Sequence, residues 1–141
     1  MQAVQVQLYL NRARDFLKGM DLLQNDLVEY RYSSALLAIH GAISYSDALR
    51  IGLEKTSLAS DDHQNAIKKL KELLSSRQYK KLEGLNHLTN LVSNKGMVAY
   101  RNNALREGTC KSIIDHAERF AVWAEETGKT LKIEGWRDES S

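Results

Sequence analysis

One line of polar side chains interrupts an otherwise apolar segment, and its residue types suit proton transfer. A helix predicted over about residues 26–54 carries, on one side, Ser33, His40, Ser44 and Asp47. Ser44 lies four residues after His40 and three before Asp47, so its hydroxyl can link the imidazole to the carboxylate. His40 and Asp47 are about 10 Å apart along the axis, too far for direct contact. The line predicts either proton-transfer chemistry that needs a partner from another helix, or a hydrogen-bonded histidine of the core.

A second predicted helix, over roughly residues 78–101, places two polar side chains beside its apolar face. That face consists of Leu85, Leu88, Val92, Gly96 and Ala99. Lys95 lies near one edge of the face and Tyr100 near the other, about 140° apart around the axis. An ammonium and a phenol beside a buried seam are candidates for binding an anion. Equally, Lys95 can extend to solvent and Tyr100 can pack with its hydroxyl exposed.

Basic residues are concentrated between positions 68 and 83. The six are Lys68, Lys69, Lys71, Arg77, Lys80 and Lys81. Glu72 and Glu83 are the acidic residues there, which leaves an excess of four positive charges. We call these six residues the basic patch. It is either a solvated face or a surface for the phosphate backbone of a nucleic acid.

Several classes of site have no motif in this chain. His63, His87 and His116 have no second histidine or cysteine ligand three or four residues away, and Cys110 is the single cysteine. A glycine-rich phosphate loop, a Gly-x-Ser-x-Gly turn and a His-Glu-x-x-His pair are also absent from the sequence. We therefore predict no metal and no cofactor, and we do not expect the usual hydrolase or nucleotide-triphosphatase chemistry.

The elements that position these residues are predicted to be helices. The 141 residues are 43% hydrophobic and contain no proline, which favours long uninterrupted helices over strands. The pattern predicts helices over residues 2–23, 26–54, 61–74, 78–101 and 110–127. The predicted N-caps are Asn25 or Asp26, Ser60 and Thr109, and Gly128 is the predicted final stop.

The predicted fold class is all-α, with a single domain over residues 1–128. Residues 129–141 are predicted to form a C-terminal tail that is either a strap over the helices or disordered. The N-terminal residues lack the pattern of a signal peptide, so we expect a cytoplasmic protein. A net charge of +2 creates no global field that would imply nucleic acid or membrane.

Four short segments resemble one helical family. They are residues 34–43 (SALLAIHGAI), the pair Asp62-His63, Lys95 followed five residues later by Tyr100, and residues 117–120 (AERF). Together, over roughly residues 5–127, they are similar to small bacterial HEPN proteins. The resemblance implies an up-and-down bundle of four or five helices that commonly forms a homodimer. It also implies a role among RNA-cleaving toxins, partners of small nucleotidyltransferases, or non-catalytic RNA-associated proteins.

The chain departs from the catalytic pattern of that family. Catalytic members carry an arginine followed after four to six residues by a histidine. Here Arg101 matches the arginine, but the three residues at the histidine positions are Arg106, Glu107 and Gly108. We therefore expect no ribonuclease activity by the family's usual route, because the general acid or base is missing.

The pattern and the resemblance together predict one pocket and three functions. The pocket consists of His40, Ser44, Asp47, Lys95 and Tyr100, with Arg101 beside them, and it would bind a phosphate-bearing or other anionic group. The leading prediction is a non-enzymatic protein that binds RNA, a nucleotide or a protein partner, within a toxin–antitoxin or defence pair. The alternatives are an atypical metal-independent ribonuclease that uses His40 or His63 with Lys95 and Arg101, and a purely structural dimeric module.

Overall fold

The structure is a computed structural model that describes residues 2–54, 62–100 and 104–139. These ranges form five α-helices and one short 3-10 helix, and they contain no strand. The helices are α1 (Gln2–Leu23), the 3-10 helix (Gln24–Asp26), α2 (Leu27–Glu54), α3 (His63–Ser76), α4 (Gly84–Tyr100) and α5 (Glu107–Thr130). The predicted all-α class is confirmed. None of these helices is long and apolar enough to cross a membrane.

The first two helices form an antiparallel pair. Gln2 Nε2 at the start of α1 donates to Ile51 O near the end of α2 (2.6 Å). In the middle of the pair the helices approach so closely that a Cβ at Gly41 would collide with the side chain of Leu17. Asp26 Oδ1 accepts a hydrogen bond from Glu29 N (3.3 Å), as expected for a residue at the start of α2.

The second helix is the centre of the fold. It packs against α1, α3, α4 and α5, and every residue from 41 to 51 is buried. Cys110 Sγ donates to Arg31 O (3.3 Å), and Tyr45 OH lies 2.7 Å from Glu125, so α5 runs parallel to α2. Small side chains along α2 permit this close packing on several sides.

Two helix starts differ from the predictions. Helix α3 begins at His63, and its N-cap is Asp62, whose Oδ1 accepts from Asn65 N (3.1 Å). The predicted cap Ser60 lies outside the described residues. Helix α4 begins at Gly84, six residues later than predicted, because the chain turns after α3 with Gln78 in the left-handed region (φ 60°).

The limits of α5 also differ. The helix begins at Glu107, so Thr109 lies in its first turn and is not the cap. It continues to Thr130, two residues past the predicted domain boundary, and Gly128 is a buried helical residue rather than a stop. A Cβ at Gly128 would collide with Trp136, so this glycine is needed for close packing and not for a turn.

The tail packs as a strap against the helices. Ile133 is buried and fills the space above Gly52 of α2, and Trp136 covers Gly128 of α5. Trp136 also stacks on Tyr45, with ring centroids 6.3 Å apart. Residues 131–139 therefore hold α2 and α5 together.

The inward face of α4 is only partly the predicted one. Leu85 and Leu88 are buried as predicted, but the next core residues are Leu91 and Val98. Gly96 and Ala99 are exposed. Val92 is half-buried against the core as predicted, but the prediction was wrong for Gly96 and Ala99, because the larger apolar side chains of Leu91 and Val98 occupy the core instead.

Candidate functional site

His40 lies half-buried on α2 in a position that three other helices reach. Its ring meets Phe16 of α1 edge-on, with centroids 6.4 Å apart and an interplanar angle of 71°. Lys95 of α4 and His63, the first residue of α3, lie close enough for their charges to act on His40. We call His40, His63 and Lys95 the His–Lys cluster.

The cluster sets the protonation state of His40. The pKa of His40 lies below its ordinary value of 6.5. Burial is the largest cause of this lowering, and the positive charges of Lys95 and His63 add to it. His40 is therefore neutral at pH 7, with one ring nitrogen able to donate and the other to accept. Among the described residues, no carboxylate forms an ion pair with Lys95.

The residues that act on the Asp47 carboxylate are two arginines, whereas the sequence predicted a hydrogen-bond relay from His40 through Ser44. Asp47 Oδ1 lies 3.8 Å from Arg50 Nη2 on the same helix, and Arg12 of α1 also acts on it. Burial nevertheless raises the pKa of Asp47 to about 6, against the opposing charges of Arg50 and Arg12. Ser44 is buried and Ser33 is exposed, so the predicted polar line is divided among different surroundings.

Of the other predicted site residues, Tyr100 is the last residue of α4, and Arg101 lies outside the described residues. Of the predicted pocket residues, Lys95 lies near enough to His40 for its charge to act on the imidazole. His63 joins them from α3, although the sequence suggested it only for the ribonuclease alternative.

The basic patch is exposed in all six of its members. Two of them have partners at the end of α2: Lys69 Nζ lies 3.7 Å from Glu54, and Arg77 Nη2 donates to Leu53 O (3.5 Å). The remaining four are Lys68, Lys71, Lys80 and Lys81. Because α3 begins with His63 and continues through Lys68 and Lys71, it connects the His–Lys cluster to the patch.

A buried polar network that the sequence did not predict links α1, α2, α5 and the tail. Arg14 Nε and Nη2 donate to the two carboxylate oxygens of Glu125, both at 2.8 Å. Tyr45 OH donates to Glu125 (2.7 Å), and Trp136 Nε1 donates to it at 3.1 Å. Arg14 Nη2 also donates to Arg137 O (2.7 Å). We call Arg14, Tyr45, Glu125 and Trp136 the Glu125 network.

The charges in this network satisfy one another. Burial opposes ionisation of Glu125, but hydrogen bonds from Arg14 and Tyr45 lower its pKa below the ordinary value. Burial and the bond to Glu125 raise the pKa of Tyr45, so its phenol stays protonated. A sequence signal did exist, since Arg14 falls within the buried stripe of α1 beside Leu10, Ala13 and Leu17.

A groove of about 490 Å³ lies between α1 and the tail, beside this network. Lys18 Nζ pairs with Glu139 across it (2.9 Å), and Arg14 lies in its floor. The charges around the groove are of both signs, and four of the six charged residues that line it form ion pairs.

The structure also pairs two histidines that the sequence left without a partner. His87 Nδ1 of α4 lies 2.8 Å from His116 Nδ1 of α5. In the ranges that the structure describes, no three histidine, cysteine or acidic side chains come together as a metal site. Sequence spacing could not reveal the pair, because its members belong to different helices.

Comparisons of this chain with protein-family models, with curated proteins and with solved structures find no match.

Proposed function

We propose that this chain is a non-enzymatic, HEPN-like binding protein whose His–Lys cluster holds a phosphate group of RNA or of a nucleotide. The observation that carries the proposal is the position of Lys95 and His63 close enough to His40 to lower its pKa. Lys95 has no carboxylate partner among the described residues, so an anion bound beside it would supply the missing opposite charge.

The donors available at the cluster suit a phosphate. Lys95 supplies a point charge, and the His40 imidazole supplies an N–H donor that a phosphate oxygen can accept from. No redox or metal chemistry is needed for this binding. For RNA, the exposed lysines of α3 extend the positive surface beyond the cluster, and they would contact the backbone without reading its sequence.

The proposed architecture is an up-and-down bundle of α1, α2, α4 and α5, with α3 alongside and the short tail as a strap. In this proposal the chain forms a homodimer in the bacterial cytoplasm and acts in a toxin–antitoxin or defence pair, with a small nucleotidyltransferase as its protein partner. These features come from the family resemblance, and the all-helical content of the described residues agrees only with the fold class that it implies.

The test is binding of labelled total RNA without added metal, read on native and denaturing gels run side by side. We compare the wild-type protein, Lys95→Ala and Lys111→Ala. Lys111 is a matched control because it is an exposed lysine of α5 that is paired with Glu107 and is not among the charges that act on His40. We expect the wild type to shift the RNA without cleaving it.

Lys95→Ala should weaken the affinity for RNA about tenfold and lower the slope of log affinity against log salt concentration by about one. Lys111→Ala should leave the affinity unchanged. Equal binding by wild type and Lys95→Ala would contradict the proposal. Absence of any shift by the wild-type protein would contradict RNA as the ligand.

A metal-independent ribonuclease is the second candidate, because the cluster brings together two imidazoles and an ammonium. His40, neutral at pH 7, could accept the proton of a ribose 2′-hydroxyl, His63 could protonate the leaving oxygen, and Lys95 would stabilise the phosphate. This candidate predicts cleavage on the denaturing gel that is lost in both His40→Gln and Lys95→Ala. Intact RNA in the wild-type lane contradicts it.

A further inference from the structure

The contact between His87 and His116 has the geometry of an in-line hydrogen bond. The Nδ1 atoms are 2.8 Å apart, and the ring centroids are 5.1 Å apart. The centroid distance is close to the sum of the N···N distance and the two ring radii, so the nitrogens point directly at each other. Their lone pairs therefore do not converge on a third point, as ligands of one metal ion would.

Such a contact requires a single proton between the two nitrogens. One ring must carry its proton on Nδ1 and donate, and the other must have a bare Nδ1 and accept. If both rings are protonated, two N–H groups face each other at hydrogen-bond distance and the contact becomes repulsive. The contact therefore has room for one proton between the two Nδ1 atoms and not for two.

The surroundings act on the pair from α5. Burial is the main reason that the pKa of His87 lies below its ordinary value, followed by the charges of His116 and Arg119, with Asp115 acting in the opposite direction. Arg119 Nε is itself paired with Asp115 (3.0 Å), so these two charges largely cancel. On α4, Thr89 and Ser93 bond to backbone carbonyls of their own helix, which leaves His116 as the partner of His87.

We infer that His87 and His116 form a proton-sharing latch between α4 and α5 that opens when both rings become cationic, so that each Nδ1 carries a proton. The latch joins half-buried positions of two helices that also pack through their apolar faces. Acidification therefore loosens this edge of α4 without unfolding the core. Because His87 is on the same helix as Lys95, the latch also links pH to the mobility of α4.

The first test is the tautomeric state of the four histidines, read at pH 7.5 from long-range proton–nitrogen correlations in the labelled full chain. We expect one of His87 and His116 to carry its proton on Nδ1, which is the less common form, and the other to have a bare Nδ1. His40 and His63 give reference signals in the same spectrum. Protons on Nε2 and bare Nδ1 atoms in both His87 and His116 would overturn the inference.

The second test is a double-mutant cycle of His87→Gln, His116→Gln and the double variant, measured by urea unfolding at pH 7.5 and pH 5.0. At pH 7.5 the two residues should be coupled by about three- to fivefold in the unfolding equilibrium constant. At pH 5.0 this coupling should disappear or reverse, since a lowered native pKa means that stability is lost as pH falls below 6.5. Coupling of the same size at both pH values would show an ordinary packing contact and overturn the latch.

Discussion

The Glu125 network and the His–Lys cluster both bring ionisable side chains from several helices together, but they differ in how their charges are balanced. In the network, a buried guanidinium and a carboxylate share two hydrogen bonds, and Tyr45 and Trp136 occupy the remaining acceptor positions. In the cluster, Lys95 and His63 oppose the protonation of His40. The first arrangement is complete without a ligand, whereas the second becomes more favourable when an anion binds.

This difference separates stability from binding in one small domain. A balanced, buried network restricts how α1, α2, α5 and the tail can pack. Removing any of its members lowers the free energy of unfolding. A cation without a partnering carboxylate contributes little to folding and is better suited to binding an anion.

The largest effect is expected for Glu125→Ala. Removing the carboxylate leaves Arg14 charged and buried without its partner, which should reduce the free energy of unfolding by about 3 kcal/mol. Urea unfolding at pH 7.5 measures this change. Glu126→Ala, at the exposed neighbouring position, is the control and should change stability by less than about 0.5 kcal/mol. A similar result for both variants would contradict a structural role for the network.

The strap should contribute somewhat less. Trp136→Ala removes the ring over Gly128, the stacking on Tyr45 and one hydrogen bond to Glu125. Because the ring is only half-buried, we expect a loss of about 2 kcal/mol, measured by thermal or urea unfolding. Trp136→Phe keeps the ring and loses the N–H donor, so it should recover about half of the loss. No recovery would show that the hydrogen bond, not packing, holds the tail.

Asp47 tests an intermediate case, because its carboxylate is buried and only partly balanced by arginines. Its pKa is raised from 3.8 to about 6, so its contribution to stability is complete below pH 4 and is lost as pH rises through 6. Asp47→Asn should therefore stabilise the protein by about 1–2 kcal/mol at pH 7.5 and leave it unchanged near pH 4. Destabilisation at pH 7.5 would mean that Arg12 and Arg50 balance Asp47 as fully as Arg14 balances Glu125.

The smallest effect on stability is expected for Lys95→Ala. The side chain contributes no ion pair among the described residues, so the free energy of unfolding should change by less than about 0.5 kcal/mol. At the same time, the pKa of His40 should rise towards its ordinary value, because one of the charges that lower it has been removed. An NMR titration of the His40 ring measures this rise. An unchanged titration would show that Lys95 is not part of the cluster.

Local patterns predicted most of the fold. Apolar spacing indicated where the five helices lie, and α1 and the end of α2 agree with the prediction. Errors arose at ends that depend on contacts distant in sequence. Gly128 has the residue type of a helix stop, but the ring of Trp136 needs the space above it, so the helix continues. The start of α4 was missed because Gln78 adopts a left-handed backbone conformation that glycine more often supplies.

The candidate site, like the fold, was predicted where it depends on local patterns and missed where it depends on contacts between helices. The sequence alone determined an all-helical chain, and it singled out His40 and Lys95, because hydrophobic periodicity and a polar residue within it are local properties. Only the tertiary structure decided which helices meet. It brought His63 to His40 and Arg12 to Asp47, joined Arg14 to Glu125 and paired His87 with His116. The physical reason is that a charge or a proton acts over a few ångströms in space, whatever the separation of its partners along the chain.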